Sequence, residues 1–143
     1  MSALPSPALP SVDAACSSGP SPTRRSLPTA HLLGLGQVGR ALLALPDLPV
    51  RFIAVSDRTA SVYGADGLDG AALIRHKAQG RALAELPAAA PLPLDLALSI
   101  ADADVIVDAT PSDPAADAIA AATARTRRLL RAGKRLILAA KTP

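Results

Sequence analysis

Three glycines, Gly34, Gly36 and Gly39, stand at the spacing G-x-G-x-x-G between an apolar run and an amphipathic one. That spacing suits phosphate chemistry. The first glycine permits a tight turn out of a strand, and the second lets the backbone approach a pyrophosphate without a Cβ in the way. The third lets a helix pack closely on the strand. The free N–H groups that open the helix, at Gln37 and Val38, then offer an anion site at the positive end of the helix dipole. Glycines at this spacing also make ordinary loops, so context decides what they mean. Asp57 supplies that context, 18 residues after Gly39 and at the end of an apolar run. An acid at about that distance accepts hydrogen bonds from the adenosine ribose hydroxyls. Arg58 follows it, and a guanidinium there suits the 2′-phosphate of NADP as an acid suits NAD. The two residues point in opposite directions, so the choice between NAD and NADP stays open.

The elements that must position these residues follow from the hydrophobic periodicity. Pro28 limits the first strand to residues 29–33, and His31 within it reads as a packed residue without a chemical role. Val38, Ala41, Leu42 and Leu45 fall at i, i+3, i+4 and i+7, the pattern of a helix that buries one face, and Pro46 ends it. Residues 50–57 form the next strand and complete a βαβ unit. Residues 59–100 are less regular. Asp66 to Gly70 reads as a turn and helix cap, followed by a helix over 68–79 with Arg75, His76 and Lys77 on its exposed side. A helical turn at 81–86 precedes a linker-like stretch over 87–93. Asp95 reads as the cap of a short helix to Ile100, and residues 103–109 form a strand. Its end, Ala109-Thr110-Pro111, belongs at the carboxyl edge of the sheet beside the glycine turn, where doubly wound folds bind ligands. Asp113 and Pro114 start a helix that Gly133 ends, with Arg125, Arg127, Arg128, Arg131 and Lys134 complementing its dipole. A last strand spans 135–140. The fold class is α/β, a Rossmann-like open parallel sheet.

Composition narrows the function classes. The chain has 143 residues, 50% of them hydrophobic but only 1% aromatic, so its core is built from Ala, Leu, Val and Ile. A net charge of +3 with so few aromatics weighs against a nucleic-acid partner that stacks bases. No apolar run reaches the ~18 residues of a membrane span. A single cysteine, Cys16, excludes an internal disulfide and fits a reducing, cytoplasmic compartment. Residues 1–28 are rich in Pro and Ser, and their composition is that of a disordered tail. Residues 29–143 form the domain.

Several separated segments together resemble the cofactor-binding portion of the homoserine dehydrogenase family. They are Gly34-Leu35-Gly36-Gln37-Val38-Gly39, Ser56-Asp57, Gly67-Leu68-Asp69, the run from Asp104 to Asp113 that contains Asp108-Ala109-Thr110-Pro111, and the run from Ala132-Gly133-Lys134-Arg135 to Lys141-Thr142-Pro143. The resemblance implies an NAD(P)-dependent oxidoreductase that interconverts aspartate semialdehyde and homoserine on the route to threonine and methionine. It places Ala109, Thr110 and Pro111 beside the nicotinamide and its ribose, and matches Lys141 to the first active-site lysine of the family. An ammonium at the carboxyl end of a strand can orient substrate or assist proton movement there. Two positions depart from the pattern: Ala140 stands where the family usually has Asn, and Thr142 where a glycine or alanine often follows. The family's substrate-binding domain is not among these segments. The expectation is therefore a cofactor-binding fragment, inactive alone, that binds a dinucleotide and partners a separately encoded substrate domain or a second copy. The alternatives are a non-catalytic dinucleotide-binding or interaction module, or the cofactor domain of a related aspartate-type dehydrogenase.

Overall fold

A six-stranded sheet in the order β4-β3-β2-β1-β5-β6 forms the centre of the computed structural model, which describes residues 26–139. The strands are β1 (Thr29–Leu33), β2 (Arg51–Ser56), β3 (Ser61–Tyr63), β4 (Ala89–Ala90), β5 (Val105–Asp108) and β6 (Arg135–Leu138). Four helices accompany them: α1 (Gln37–Leu43), α2 (Gly70–Ala78), α3 (Leu94–Ala101) and α4 (Ala116–Arg131), with a 3-10 turn at Leu83–Glu85. β2, β1, β5 and β6 run parallel, which is the open parallel sheet expected from the sequence. β3 and β4 add to the β2 side in antiparallel pairing. The sequence reading has loop and linker at both, because three and two residues are too few to show an alternating pattern.

Side chains alternate across the sheet and sort into two cores. Leu32, Phe52, Val55, Val105 and Val107 pack on one face with Leu73 of α2 and with Leu42 and Leu43 of α1. Leu33, Ile53 and Ile106 pack on the other with Leu98 of α3 and Leu129 of α4. Helices on both faces are what right-handed crossovers require when the chain leaves β1 in one direction and β5 in the other. The register of β1 against β2 shifts between Ala30 and His31, so His31 lies opposite Ala54.

Several helix details differ from the sequence pattern. In α1 the buried side carries Gly39, Leu42 and Leu43, whereas Val38 and Leu45 are exposed. A helix only two turns long covers the sheet with the residues its glycine brings nearest, whatever the longer period suggests. Asp69 caps α2 as expected, its Oδ1 accepting from Ala72 N at 3.0 Å, but His76 is buried and not exposed. Its Nε2 lies 2.7 Å from the Ala82 carbonyl oxygen, a bond that ties α2 to the next turn. Asp95 sits inside the first turn of α3 and is not its cap, and it pairs instead with Arg128 of α4. α4 begins two residues beyond Pro114, while Asp113 Oδ1 accepts from Ala115 N at 2.9 Å in the preceding turn. Gly133, at φ +75°, ends it as expected. No helix among the described residues is long and apolar enough to cross a membrane. Cys16 and most of the 1–28 segment lie outside the described residues.

Candidate functional site

The carboxyl ends of β2, β1 and β5 lie side by side, and the chain turns at Gly34 between its two neighbours. Gly34 N donates to the Ser56 carbonyl at 2.7 Å on one side, and Ala109 N donates to the Leu33 carbonyl at 2.8 Å on the other. Gly34 holds φ +89°, and a Cβ there would come within 2.7 Å of the Ala109 carbonyl oxygen. Both the backbone angle and the space require glycine. Gly39 meets a harder limit, since its Cβ would lie 2.1 Å from the Gly34 carbonyl oxygen. A Cβ on Gly36, by contrast, would meet nothing within 4 Å. The protein itself has no use for the missing side chain there, which leaves bare backbone facing outward beside exposed Gln37 and Val38.

Asp57 stands at the end of β2, mostly buried, and is occupied by its own loop. Its Oδ1 accepts from Thr59 N at 2.7 Å, Thr59 Oγ1 at 2.6 Å and Ala60 N at 3.2 Å. Its Oδ2 lies 3.5 Å from Lys77 Nζ on α2. Burial pushes the Asp57 carboxyl up, but the bonds from Thr59 and Ala60 and the charge of Lys77 outweigh it and hold the group below the usual carboxylate range. Arg58 is exposed beside it.

At the end of β5, Asp108 shapes the Ala109–Thr110 segment. Its Oδ1 accepts from Thr110 N at 3.0 Å and from Thr110 Oγ1 at 2.5 Å, while Oδ2 lies 3.5 Å from Arg125 of α4. The structure thus brings Gly34, Ala109 and Thr110 together and sets Asp57 at the neighbouring strand end. Pro111 is exposed beyond them, and Lys141 lies outside the described residues. Sequence reasoning missed Lys77 as a partner of Asp57 and Arg125 as a partner of Asp108, having given both to solvated or dipole-complementing positions. Only the fold brings residues so far apart in sequence together.

Two depressions lie elsewhere. One of about 470 Å³, at the amino ends of the strands, is lined by Asp104, Gly133 and Lys134 among others. It is remote from the glycine turn and carries no part of this chemistry. The other lies on the α3 face, against the buried His31.

Comparison with curated protein sequences gives no match. Among solved structures, homoserine dehydrogenase from Thermoplasma acidophilum is similar at 26% identity and a TM-score of 0.62, covering 80% of this chain and 35% of that one. A hyperthermophilic archaeal homoserine dehydrogenase in complex with NADPH shares the fold at 18% identity and a TM-score of 0.57, covering 80% of this chain and 36% of that one. The hetero-hexameric glutamate dehydrogenase of Thermus thermophilus, in its Leu-bound form, shares it at 23% identity and a TM-score of 0.55, covering 78% and 30%. The chain therefore spans about a third of the length of these solved structures. Its fold is that of a dehydrogenase dinucleotide-binding domain. The matching family model departs from the resemblance carried by the motifs: it covers residues 26–129 and describes Glutamate/Leucine/Phenylalanine/Valine dehydrogenase. With that match over most of its length, the chain belongs to the Glutamate/Leucine/Phenylalanine/Valine dehydrogenase family.

Proposed function

We propose that this chain is the NAD(P)-binding part of an amino-acid dehydrogenase of the homoserine type, interconverting homoserine and aspartate semialdehyde. The observation that carries the reading is the meeting of the Gly34–Gly36 turn, Asp57 and the Ala109–Thr110 segment at one sheet edge. The residues present fit a dinucleotide. Gly36 leaves bare backbone facing outward for a pyrophosphate, with the N–H groups of Gln37 and Val38 beside it. Asp57 Oδ2, held only loosely by Lys77 at 3.5 Å, is the acceptor left for a ribose hydroxyl. Exposed Arg58, with Lys77 across from Asp57, adds positive charge at the same strand end and favours the 2′-phosphate of NADP. Ala109, Thr110 and Pro111 would border the nicotinamide, held in place by Asp108. A bound nicotinamide supplies or accepts hydride. The chain's own part would be to hold that ring at the end of β5, and the resemblance to homoserine dehydrogenases assigns to Lys141 the task of orienting substrate or assisting proton movement.

Support for the homoserine type comes from the run of Asp108-Ala109-Thr110-Pro111 and from the similarity to the Thermoplasma enzyme. The family match favours a second reading, oxidative deamination of an amino acid. Titration of the purified chain with NADPH and NADH, followed by their fluorescence, tests the binding claim. Saturation by at least one nucleotide below about millimolar is expected, and its absence would remove the basis for both readings. Joining the chain to a homoserine-type or a glutamate-type substrate domain and assaying each product then separates them.

A further inference from the structure

We propose that Thr59 is a positioning residue of the nucleotide site: its hydroxyl clamps one oxygen of Asp57, so that the other oxygen is presented to the adenosine ribose. This role presupposes the dinucleotide site proposed for the same sheet edge, and it adds a residue that lies outside both the glycine turn and the strand ends. The Asp57 side chain is only 14% exposed, so little more than one edge of its carboxylate is open to a ligand. Oδ1 is fully engaged by its own loop, since it accepts from Thr59 N, Thr59 Oγ1 and Ala60 N and an oxygen has about two lone-pair sites. Oδ2 meets only Lys77 Nζ among the described residues, at 3.5 Å. The clamp therefore sorts the carboxylate into one oxygen that holds the loop and one that remains for a ribose hydroxyl.

The direction of the Thr59 hydroxyl is set by both of its partners. Ala84 N, in the turn at Leu83–Glu85, donates to Thr59 Oγ1 at 3.3 Å. An N–H only donates and an ionised carboxylate only accepts, so the single hydroxyl proton goes to Asp57. The turn that supplies this N–H is itself anchored, because Leu83 is completely buried and the Ala82 carbonyl oxygen lies 2.7 Å from His76 Nε2 of α2. α2 also carries Lys77, so the groups that grip Asp57 from either side belong to one braced unit. A hydrogen bond to an ionised group is roughly twice as strong as a neutral one, which suits the hydroxyl to holding the carboxylate in one orientation. Burial pushes the Asp57 carboxyl up, and the Thr59 hydroxyl leads the contacts that bring it below the usual range, so the group facing the ribose is charged and acts as an acceptor.

The test is a double-substitution cycle on the full chain, read as NADH affinity from the nucleotide's fluorescence. Thr59→Val keeps the shape of the side chain and loses the hydroxyl. It is expected to weaken NADH roughly fivefold, the value of one net hydrogen bond, while Thr59→Ser stays within about twofold of the unsubstituted chain. In an Asp57→Ala background, Thr59→Val is expected to change the affinity by less than about twofold, because the oxygens through which it acts are gone. An effect of the same size with and without Asp57 would overturn the proposal and make Thr59 a structural part of its loop, and so would a Thr59→Val chain that binds NADH as tightly as the original. Should Asp57→Ala fail to fold, the Asp57 carboxyl followed by NMR decides, with Lys77 and Arg58 retained in every variant. Its titration midpoint is expected to rise in Thr59→Val and to stay in place in Thr59→Ser, and an unmoved midpoint in Thr59→Val rejects the clamp. Saturation by NADPH without saturation by NADH overturns the role at the ribose alone, whereas binding of neither removes the dinucleotide site and this role with it.

Discussion

Gly39 approaches Gly34 so closely that a Cβ on Gly39 would stand 2.1 Å from the Gly34 carbonyl oxygen. The contact fixes where α1 leaves the sheet, and hence where the outward-facing Gly36 lies. Gly39→Ala must push the helix away from β1, an overpacking that costs roughly 3 kcal/mol because the neighbour is backbone and cannot rotate aside. Urea unfolding is expected to show a lower midpoint at unchanged slope. A variant as stable as the original chain would mean that the helix shifts freely.

Gly36→Ala separates folding from binding. Its new methyl meets nothing within 4 Å, so stability should change by no more than about 0.5 kcal/mol. Nucleotide affinity should nevertheless fall at least tenfold, because that backbone is the surface offered to the pyrophosphate. Unchanged affinity for both NADH and NADPH would place the phosphates elsewhere.

Arg58→Ala addresses the choice of cofactor. Loss of a guanidinium from a 2′-phosphate is expected to weaken NADPH by about tenfold and to leave NADH within about twofold. Equal losses for the two nucleotides would assign Arg58 to something other than the 2′-phosphate.

Acid should destabilise the fold through His31. Burial lowers its ring from 6.5 to about 4, so the folded chain keeps it neutral where the unfolded chain binds a proton. Stability from this group is therefore complete above pH 6.5 and falls as the pH drops toward 4, by about 3 kcal/mol in all. Urea midpoints measured at pH 7, 6, 5 and 4.5 should decline over this window, and His31→Gln should flatten the decline. A profile that is flat from pH 7 to 5 in the unsubstituted chain contradicts it.

The parallel centre of the sheet was legible in the sequence because β1, β2 and β5 are runs of branched and aliphatic residues set off by Pro28, Gly34 and Pro46. Gly34 and Gly39 were legible for the same reason that they are constrained: only glycine fits there. What escaped the sequence depends on contacts between distant segments. His76 looks solvent-facing between Arg75 and Lys77, yet the turn after Gly80 brings the Ala82 carbonyl to its ring. His31 read as a packed residue, and nothing local announces that Ser56 and Ser61 will line up with it. Asp57 read as free for a ribose, whereas two residues later Thr59 claims one of its oxygens from both main chain and side chain.

The two borders of the sheet are unequal. On one side the last strand, β4, is only two residues long and offers almost no ladder to a further strand. On the other, β6 pairs with β5 along one edge, and its outer edge, four residues long, meets no further strand among the described residues, with Ile137 and Leu138 more than half exposed on its flanks. The sheet therefore has a direction of growth. Among the described residues, an extended segment that joins it finds its longer template at β6.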